Sequence, residues 1–186
     1  MRIRQATEQD IDEVKKVSDS LQVSRDQKGW EKATSGLFEY PKTREELLKA
    51  LNPHFIVAEL EKTEVRGYSL GYDNEFFRTN YGNTDYTEWR FILDNIKGSY
   101  LYIDQLGVSR PETLSAGLIA INLVNKTIES AQKKGLDKVV TLVCVEPLPN
   151  KRSLALMRRR GLQRFGSVPI ENGVVLDAYK LNLPPQ

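Results

Sequence analysis

The stretch of sequence that decides the fold runs from residue 100 to residue 161. It reads YLYIDQLGVSRP (100–111), ETLSAGLIAINLVNKTIESAQKKG (112–135), DKVVTLVCVEPLPN (137–150) and KRSLALMRRRG (151–161). The apolar patterns predict a strand, a helix, a second strand and a second helix. The loop of small residues before the long helix presents backbone N–H groups where a phosphate group can bind.

Single residues around these segments mark where the helices begin and end. Gly135 predicts the end of the long helix, and Asn150 predicts the start of the next helix as its N-cap. The nearly continuous apolar run at 138–145 indicates a strand that is covered on both faces. Asn-Gly at 172–173 is a strong hairpin signal. It predicts a closing hairpin of strands at 162–169 and 174–183.

The first half of the chain carries two capping-box patterns. Thr7 with Asp10, and Thr43 with Glu46, each predict the start of an amphipathic helix. The apolar runs FIVAEL and VRGYSLGY, separated by a polar turn, predict a pair of strands. Further predicted elements are a strand at 2–6 and a short helix within 24–36. Strands that alternate with helices favour an α/β or α+β sheet with helices packed on it.

An aromatic-rich segment at 74–98 interrupts this alternation. Part of it, residues 84–93, is predicted to be helical. Dense aromatic side chains cover the edge of a core, line a substrate pocket or form a dimer contact, and all three interpretations stay open here. We expect residues 1–186 to form one domain with 74–98 as an insertion between strands.

Composition and charge exclude several classes of protein. The 186 residues are 40% apolar with a formal net charge of +2, so no overall positive field attracts nucleic acid or a membrane. No apolar run reaches the roughly 18 residues of a membrane-spanning helix, and the opening MRIRQATEQD lacks the apolar core of a secretory signal. A single cysteine, Cys144, fits a reducing compartment. We therefore expect a soluble, cytoplasmic protein.

Local clusters of charge and of metal-binding residue types do not point to a specific functional site. The basic run at 151–164 spreads around a helix, which favours a solvated surface. Contact with phosphate groups or an acidic partner is the alternative, and no recognition motif supports nucleic-acid binding. His54 is the only histidine and lies far in sequence from Cys144, so no metal site is predicted.

The order of these patterns resembles the GNAT-type N-acetyltransferases. The matching segments are IRQATEQDIDEV, FIVAEL, RGYSLGY, YIDQLGVSRP, AQKKG and PLPNKRSLALMRRRGLQRFG. The resemblance implies a mixed, strongly twisted sheet of about seven strands, flanked by helices. It also implies that two central parallel strands, at 100–108 and 138–145, splay apart.

The resemblance implies acetyl-CoA as co-substrate, bound between the splayed strands. The pantetheine arm would pair with the first strand, the diphosphate would sit at the loop before the long helix, and the second helix would border the cysteamine end. Gly117 is the only glycine in the loop region, where the family pattern has more. The residues implied in coenzyme binding are Leu106, Gly107, Val108, Thr113, Leu114, Ser115, Ala116, Gly117, Asn150, Ser153 and Met157.

Acetyl transfer from a thioester needs a neutral amine and a group that accepts its proton. Asp104 on the first splayed strand and Glu146 just beyond the second are the candidate catalytic bases, with a purely structural carboxylate as the alternative for each. When Asn150 and Ser153 are aligned with the family pattern, Met157 falls where many members have a tyrosine that acts as the general acid and protonates the leaving thiolate. Methionine cannot donate a proton, so no general acid is predicted there.

Three functions remain open at this point. The first is transfer of an acetyl group from acetyl-CoA to a primary amine of a small molecule or peptide. The second is a catalytically degenerate GNAT domain that binds acyl-CoA or a protein partner without turnover, which Met157 favours. The third is an unrelated α/β binding domain. The resemblance also implies a possible homodimer that forms through the closing hairpin.

Overall fold

The computed structural model describes residues 1–23, 37–38, 42–60, 64–109 and 114–184. The strands in chain order are β1 (Arg2–Gln5), β2 (Gln22–Val23), β3 (Leu37–Phe38), β4 (Phe55–Glu59), β5 (Val65–Asp73), β6 (Tyr100–Val108), β7 (Lys138–Glu146), β8 (Gln163–Ile170) and β9 (Val174–Asn182). The α-helices are α1 (Ile11–Ser20), α2 (Arg44–Lys49), α3 (Asn74–Tyr81), α4 (Thr87–Asn95), α5 (Leu114–Lys133) and α6 (Lys151–Arg159).

Seven strands form one mixed sheet in the order β1-β4-β5-β6-β7-β9-β8. The neighbours β6 and β7 are parallel, and the other paired strands of this sheet are antiparallel. A parallel pair needs a crossover connection, and α5 supplies it. The predicted seven-stranded mixed sheet with a central parallel pair is confirmed.

Alternating residues of the central strands bury the two faces of the sheet separately. On β6, Tyr100 and Tyr102 pack into a cluster beneath α1 to α4. Leu101 and Ile103 point the other way and pack with Ala131 of α5. The period of two in side-chain direction therefore assigns residues 100–103 of β6 alternately to the two helical layers.

The predicted helix boundaries follow the capping residues. The Asp10 carboxylate accepts from the Thr7 N–H at 2.8 Å, and the Glu46 carboxylate accepts from the Thr43 N–H at 2.7 Å. The Asn150 side chain accepts from the backbone N–H at the third position of α6. These bonds satisfy N–H groups that have no partner within the helix, so both capping boxes and the Asn150 cap are confirmed.

The structure differs from the sequence prediction in the segment 74–98. It holds two helices, because Asp73 caps an additional helix, α3, by accepting from the Phe76 N–H at 2.8 Å. The predicted helix at 84–93 corresponds to α4, which begins at Thr87. The helix predicted within 24–36 lies outside the described residues.

The spacing of apolar residues in α5 predicts that Leu118 lies on the buried side of the helix with Leu123 and Val124. The structure instead leaves Leu118 58% exposed. Its neighbour Ile119 is buried in its place and packs with Leu123 under the sheet. Both are apolar, so the pattern alone did not separate them.

Candidate active site

A gap opens in the centre of the sheet between β6 and β7. Their ladder begins at Tyr100↔Lys138 and ends at Ile103↔Thr141. The Thr141 hydroxyl donates to the Ile103 carbonyl at 3.0 Å, at the point where the strands separate. On the outer sides the pairing continues: β6 pairs with β5 as far as Val108, and β7 pairs with β9 as far as Glu146. The two strands are thus held apart by their outer neighbours.

A β-bulge at Asp104 accounts for the divergence. Leu70 of β5 pairs with Gln105 and Gly71 pairs with Ile103, so Asp104 is the extra residue on β6. An extra residue bends its strand and increases the local twist. The bend lies one residue beyond the last β6–β7 pair, and it turns the rest of β6 away from β7.

The gap forms a cleft of about 330 Å³. The two splayed strands form its walls, the start of α6 closes one end, and α2, α4 and the β8–β9 hairpin surround the other. Its lining residues are Lys42, Glu46, Tyr86, Glu88, Trp89, Tyr102, Ile103, Asp104, Gln105, Leu106, Thr141, Leu142, Val143, Cys144, Asn150, Ser153, Met157, Ile170, Val174 and Leu176.

An ion pair stands at the α2–α4 end of the cleft, which we name the acceptor end (Lys42, Glu46, Tyr86, Glu88, Trp89 and Asp104). The Lys42 ammonium lies 2.9 Å from the Asp104 carboxylate, and the two side chains are 12% and 10% exposed. The same ammonium lies 5.3 Å from the centre of the Trp89 ring. Burial is the largest single influence on the pKa of Lys42 and lowers it, but the charge of Asp104 and the hydrogen bond to it, with smaller contributions from Tyr81 and Glu46, together leave that pKa above its ordinary value.

The environment of the Glu88 carboxylate at the acceptor end differs from that of Asp104. It lies in the first turn of α4 and is half-buried. Burial raises the pKa of Glu88 above its ordinary value, and the nearby charge of Asp104 raises it further. A carboxylate with a raised pKa is a stronger proton acceptor than an exposed one, which is the property a general base needs.

Solved structures of similar architecture are known. One chain of the NatC complex bound to Gag peptide and CoA superposes with a TM-score of 0.65 at 16% identity, over 98% of each chain. A Drosophila melanogaster polyamine N-acetyltransferase gives 0.60 at 14% identity, over 98% of this chain and 99% of that one. The Enterococcus faecium aminoglycoside 6'-N-acetyltransferase gives 0.64 at 12% identity, over 100% and 99%.

The chain has a GNAT-type fold. The mixed, seven-stranded open sheet flanked by helices, which the resemblance implied, matches these structures. No protein-family model matches the sequence, and no curated protein sequence matches it. Within the described residues, no helix has both the length and the apolar character needed to cross a membrane.

In this GNAT-type fold, four of the predicted coenzyme residues meet in the cleft. Leu106 lies on β6, and Asn150, Ser153 and Met157 come from the cap and body of α6. Met157 is 2% exposed and packs with Val143 of β7. The position that the resemblance assigns to a general acid is thus occupied by a buried, apolar side chain.

Gly107 and Val108 follow on β6 and do not line the cleft. A Cβ at Gly107 would stand 2.5 Å from Cε1 of Tyr68, so glycine is needed there for packing of the sheet. Val108 is 9% exposed and packs with Ala116 beneath α5. These two residues therefore contribute to the packing of the sheet.

The N-terminus of α5 holds the predicted phosphate-binding residues. Leu114 begins the helix, Ser115 and Gly117 are exposed, and Ala116 is buried at 4% exposure. A Cβ at Gly117 would meet nothing within 4 Å, so the helix surface is open there. Thr113 lies outside the described residues.

Two titratable residues named from the sequence are not part of the cleft lining. Glu146 lies at the end of β7 and is exposed. His54 is 1% exposed and sits beside Asp73, its Nε2 lying 3.5 Å from that carboxylate. The structure therefore brings Asp104 into the cleft and leaves Glu146 and His54 outside it.

Sequence reasoning missed Lys42, Glu88 and Trp89. Lys42 precedes a capping box and Glu88 lies in an aromatic-rich helix, and neither position carries a motif. The aromatic residues around Trp89 were the available signal, because pocket lining was one interpretation of the segment 74–98. The structure divides that segment: Phe77 of α3 is buried in the core, whereas Trp89 lines the cleft.

Proposed function

We propose that this chain moves an acetyl group from acetyl-CoA to a primary amine. The observation that carries the proposal is the gap between β6 and β7, where the ladder ends at Ile103↔Thr141 while both outer ladders continue. Strand edges of this kind offer backbone N–H and C=O groups to a ligand, as when a peptide adds to a sheet. The pantetheine arm is a linear chain with amide groups, and it suits such an edge.

Residues inside the cleft and at the start of α5 fit the proposed co-substrate. Leu106, Asn150 and Ser153 would border the thioester end of the arm. The open helix start at Ser115 and Gly117 would receive the diphosphate, since helix N-termini favour anions. The proposed acetyl position lies between these groups and the acceptor end.

The acceptor is proposed to be a primary amine on a small molecule or a peptide. By their names, the similar structures include acetyltransferases of a polyamine and of an aminoglycoside, and a complex bound to a peptide. The acceptor end of this chain combines carboxylates with aromatic rings, and that surface attracts ammonium groups. It already holds the ammonium of Lys42.

Two carboxylates are proposed to handle the proton of the amine. An alkylamine has a pKa of about 10.4, so its free form must be generated in the cleft. Asp104 contacts an ammonium group directly at 2.9 Å and is proposed to orient the amine. Glu88, whose pKa burial raises, is proposed as the proton acceptor. Glu146, a candidate from the sequence, has no part in this scheme.

The leaving thiol is proposed to depart without a protein acid. A thiol has a pKa of about 8.5, which makes the thiolate a tolerable leaving group. Met157 lines the cleft and is 2% exposed, so its apolar side chain would keep water from this position. The same methionine favours a second candidate function, in which the chain binds acyl-CoA without turnover.

Two measurements test the proposal. Isothermal titration should give saturable binding of acetyl-CoA to the purified chain. Release of the free thiol should then exceed the background rate when a panel of primary amines is added. Binding without amine-dependent thiol release would support the second candidate function. Failure to bind acetyl-CoA at all would rule out both.

A further inference from the structure

Lys42 carries an amine into the proposed reaction cleft. Among the described residues that line the cleft, it is the one with an amino group. Its side chain is 12% exposed, and two contacts hold its Nζ atom in place: the Asp104 carboxylate at 2.9 Å and the Trp89 ring at 5.3 Å. A primary amine therefore already occupies the position proposed for the acceptor.

We propose that Lys42 is itself an acetyl acceptor, so that the chain modifies its own Lys42 when acetyl-CoA is bound and no external amine competes. The proposal rests on the proposed function, because it uses the same cleft and the same donor. It adds a covalent modification site and makes Lys42 the alternative to an external acceptor amine.

Confinement is the physical reason why this lysine would react in preference to others. A nucleophile held beside its target reacts as though its concentration were very high, with effective molarities on the order of 10⁵ M or more in well-aligned cases. Lys16 offers the contrast, because its side chain is 72% exposed and its Nζ pairs with Glu13 on the surface of α1. Such a lysine meets acetyl-CoA only by collision from solution.

The reaction balances without any further reagent. Lys42 first loses one proton from its ammonium group, and Asp104 is the adjacent acceptor. The free Nζ then forms a C–N bond to the thioester carbonyl carbon, the C–S bond breaks, and the thiol leaves with the second proton of the amine. The products are an acetamide on Lys42, free CoA thiol and one proton passed to solvent.

The charges around Lys42 set the pH dependence of this step. Lys42 faces Asp104 on β6, Glu46 on α2, Glu88 on α4 and Tyr81 on α3. Although burial lowers the pKa of Lys42, the Asp104 carboxylate keeps it above the ordinary value. The free amine is then a small fraction near neutral pH, and the rate should rise about tenfold per pH unit.

The test uses the full chain incubated with acetyl-CoA and no added amine, followed by intact mass measurement and peptide mapping. We expect a single acetyl group on Lys42, formed at a rate that saturates with acetyl-CoA and is independent of protein concentration. Acetylation of Lys16 should instead increase linearly with acetyl-CoA. Lys42→Arg keeps the positive charge but cannot be acetylated, and Lys16→Arg should leave modification of Lys42 unchanged.

Three outcomes would overturn the proposal. In the first, amines stimulate thiol release while Lys42 stays unmodified; self-acetylation then fails and the proposed function survives. In the second, Lys42 is acetylated linearly with acetyl-CoA and no faster than Lys16, which indicates chemistry from solution. In the third, the chain does not bind acetyl-CoA, and the proposed function fails together with this inference.

Discussion

At the scale of single residues, Asp104 and Glu88 show how two carboxylates in one cleft acquire different properties. Asp104 is the extra residue of a β-bulge and is paired with the Lys42 ammonium. Glu88 lies in the first turn of α4, where burial raises its pKa. A carboxylate beside a cation suits recognition of ammonium groups, and one with a raised pKa suits proton transfer.

Replacing Glu88 should therefore affect the chemistry more than the binding. We expect Glu88→Gln to lower kcat for a reactive amine by about a hundredfold, the lower range of general-base contributions. Wild-type kcat should rise with pH through the raised pKa of Glu88, because the base acts when deprotonated, and this limb should vanish in the variant. Steady-state kinetics across pH measures both effects.

Controls separate this effect from loss of structure. Glu45→Gln removes an exposed carboxylate from α2 and should leave kcat and its pH profile unchanged. Asp104→Asn leaves the Lys42 ammonium without its counter-ion, so we expect it to lower stability as well as rate. An unchanged kcat in Glu88→Gln would remove Glu88 as the base.

At the scale of secondary-structure elements, the start of α5 and the bulge of β6 act together. The bulge directs the second half of β6 away from β7. Along the chain, β6 is followed by α5. Gly117 lies in the first turn of α5 and is exposed. The open strand edge and the helix N-terminus are thus consecutive elements of the chain, and the proposed coenzyme would contact both.

A charge at Gly117 tests this arrangement. A Cβ there meets nothing within 4 Å, so a side chain fits without strain from neighbours. We expect Gly117→Glu to weaken acetyl-CoA binding roughly fivefold, about 1 kcal/mol, relative to the neutral isostere Gly117→Gln, because a carboxylate repels the diphosphate. Titration of both variants at low salt measures the difference. Equal affinities would place the diphosphate elsewhere.

At the scale of the whole molecule, a buried polar cluster joins β5 to α5 on the far side of β6 from the cleft. His54 Nδ1 lies 2.8 Å from the Ser130 hydroxyl, and that hydroxyl donates to the Thr127 carbonyl. Asp73 at the end of β5 pairs with Lys134 just beyond α5. Burial lowers the pKa of His54 and outweighs the opposing effect of Asp73.

The free energy of unfolding should therefore depend on pH through His54, the only histidine. Below about pH 6.5 the unfolded chain takes up a proton that folded His54 does not, so stability falls as pH falls. The slope is at most about 1.4 kcal/mol per pH unit and ends at the lowered folded pKa. Urea unfolding between about pH 5 and pH 8 measures it.

His54→Gln should flatten this dependence, even if the variant is less stable overall. Glu88 contributes with the opposite sign, since a raised folded pKa makes stability fall as pH rises through it. Glu88→Gln should accordingly keep the histidine slope. A wild-type profile without any fall in stability below about pH 6.5 would contradict the assignment of a neutral, buried His54.

Much of the architecture was readable from local patterns because its causes are local. The caps at Thr7, Thr43 and Asn150 and the apolar period of each strand depend on residues a few positions apart. The order of these elements favoured an α/β or α+β sheet, and the resemblance to the GNAT-type N-acetyltransferases implied the mixed sheet with its central parallel pair. The position of Leu118 did not follow, because two neighbouring apolar residues compete for one face.

The composition of the acceptor end was decided by the tertiary structure alone. Lys42, Glu88 and Asp104 are far apart in sequence, and their meeting depends on how α2 and α4 pack against β6. The bulge at Asp104 depends on the pairing register between β5 and β6, and no single residue type predicts it. The sequence by itself therefore determined the elements and their order, whereas long-range packing decided which charged groups share the cleft.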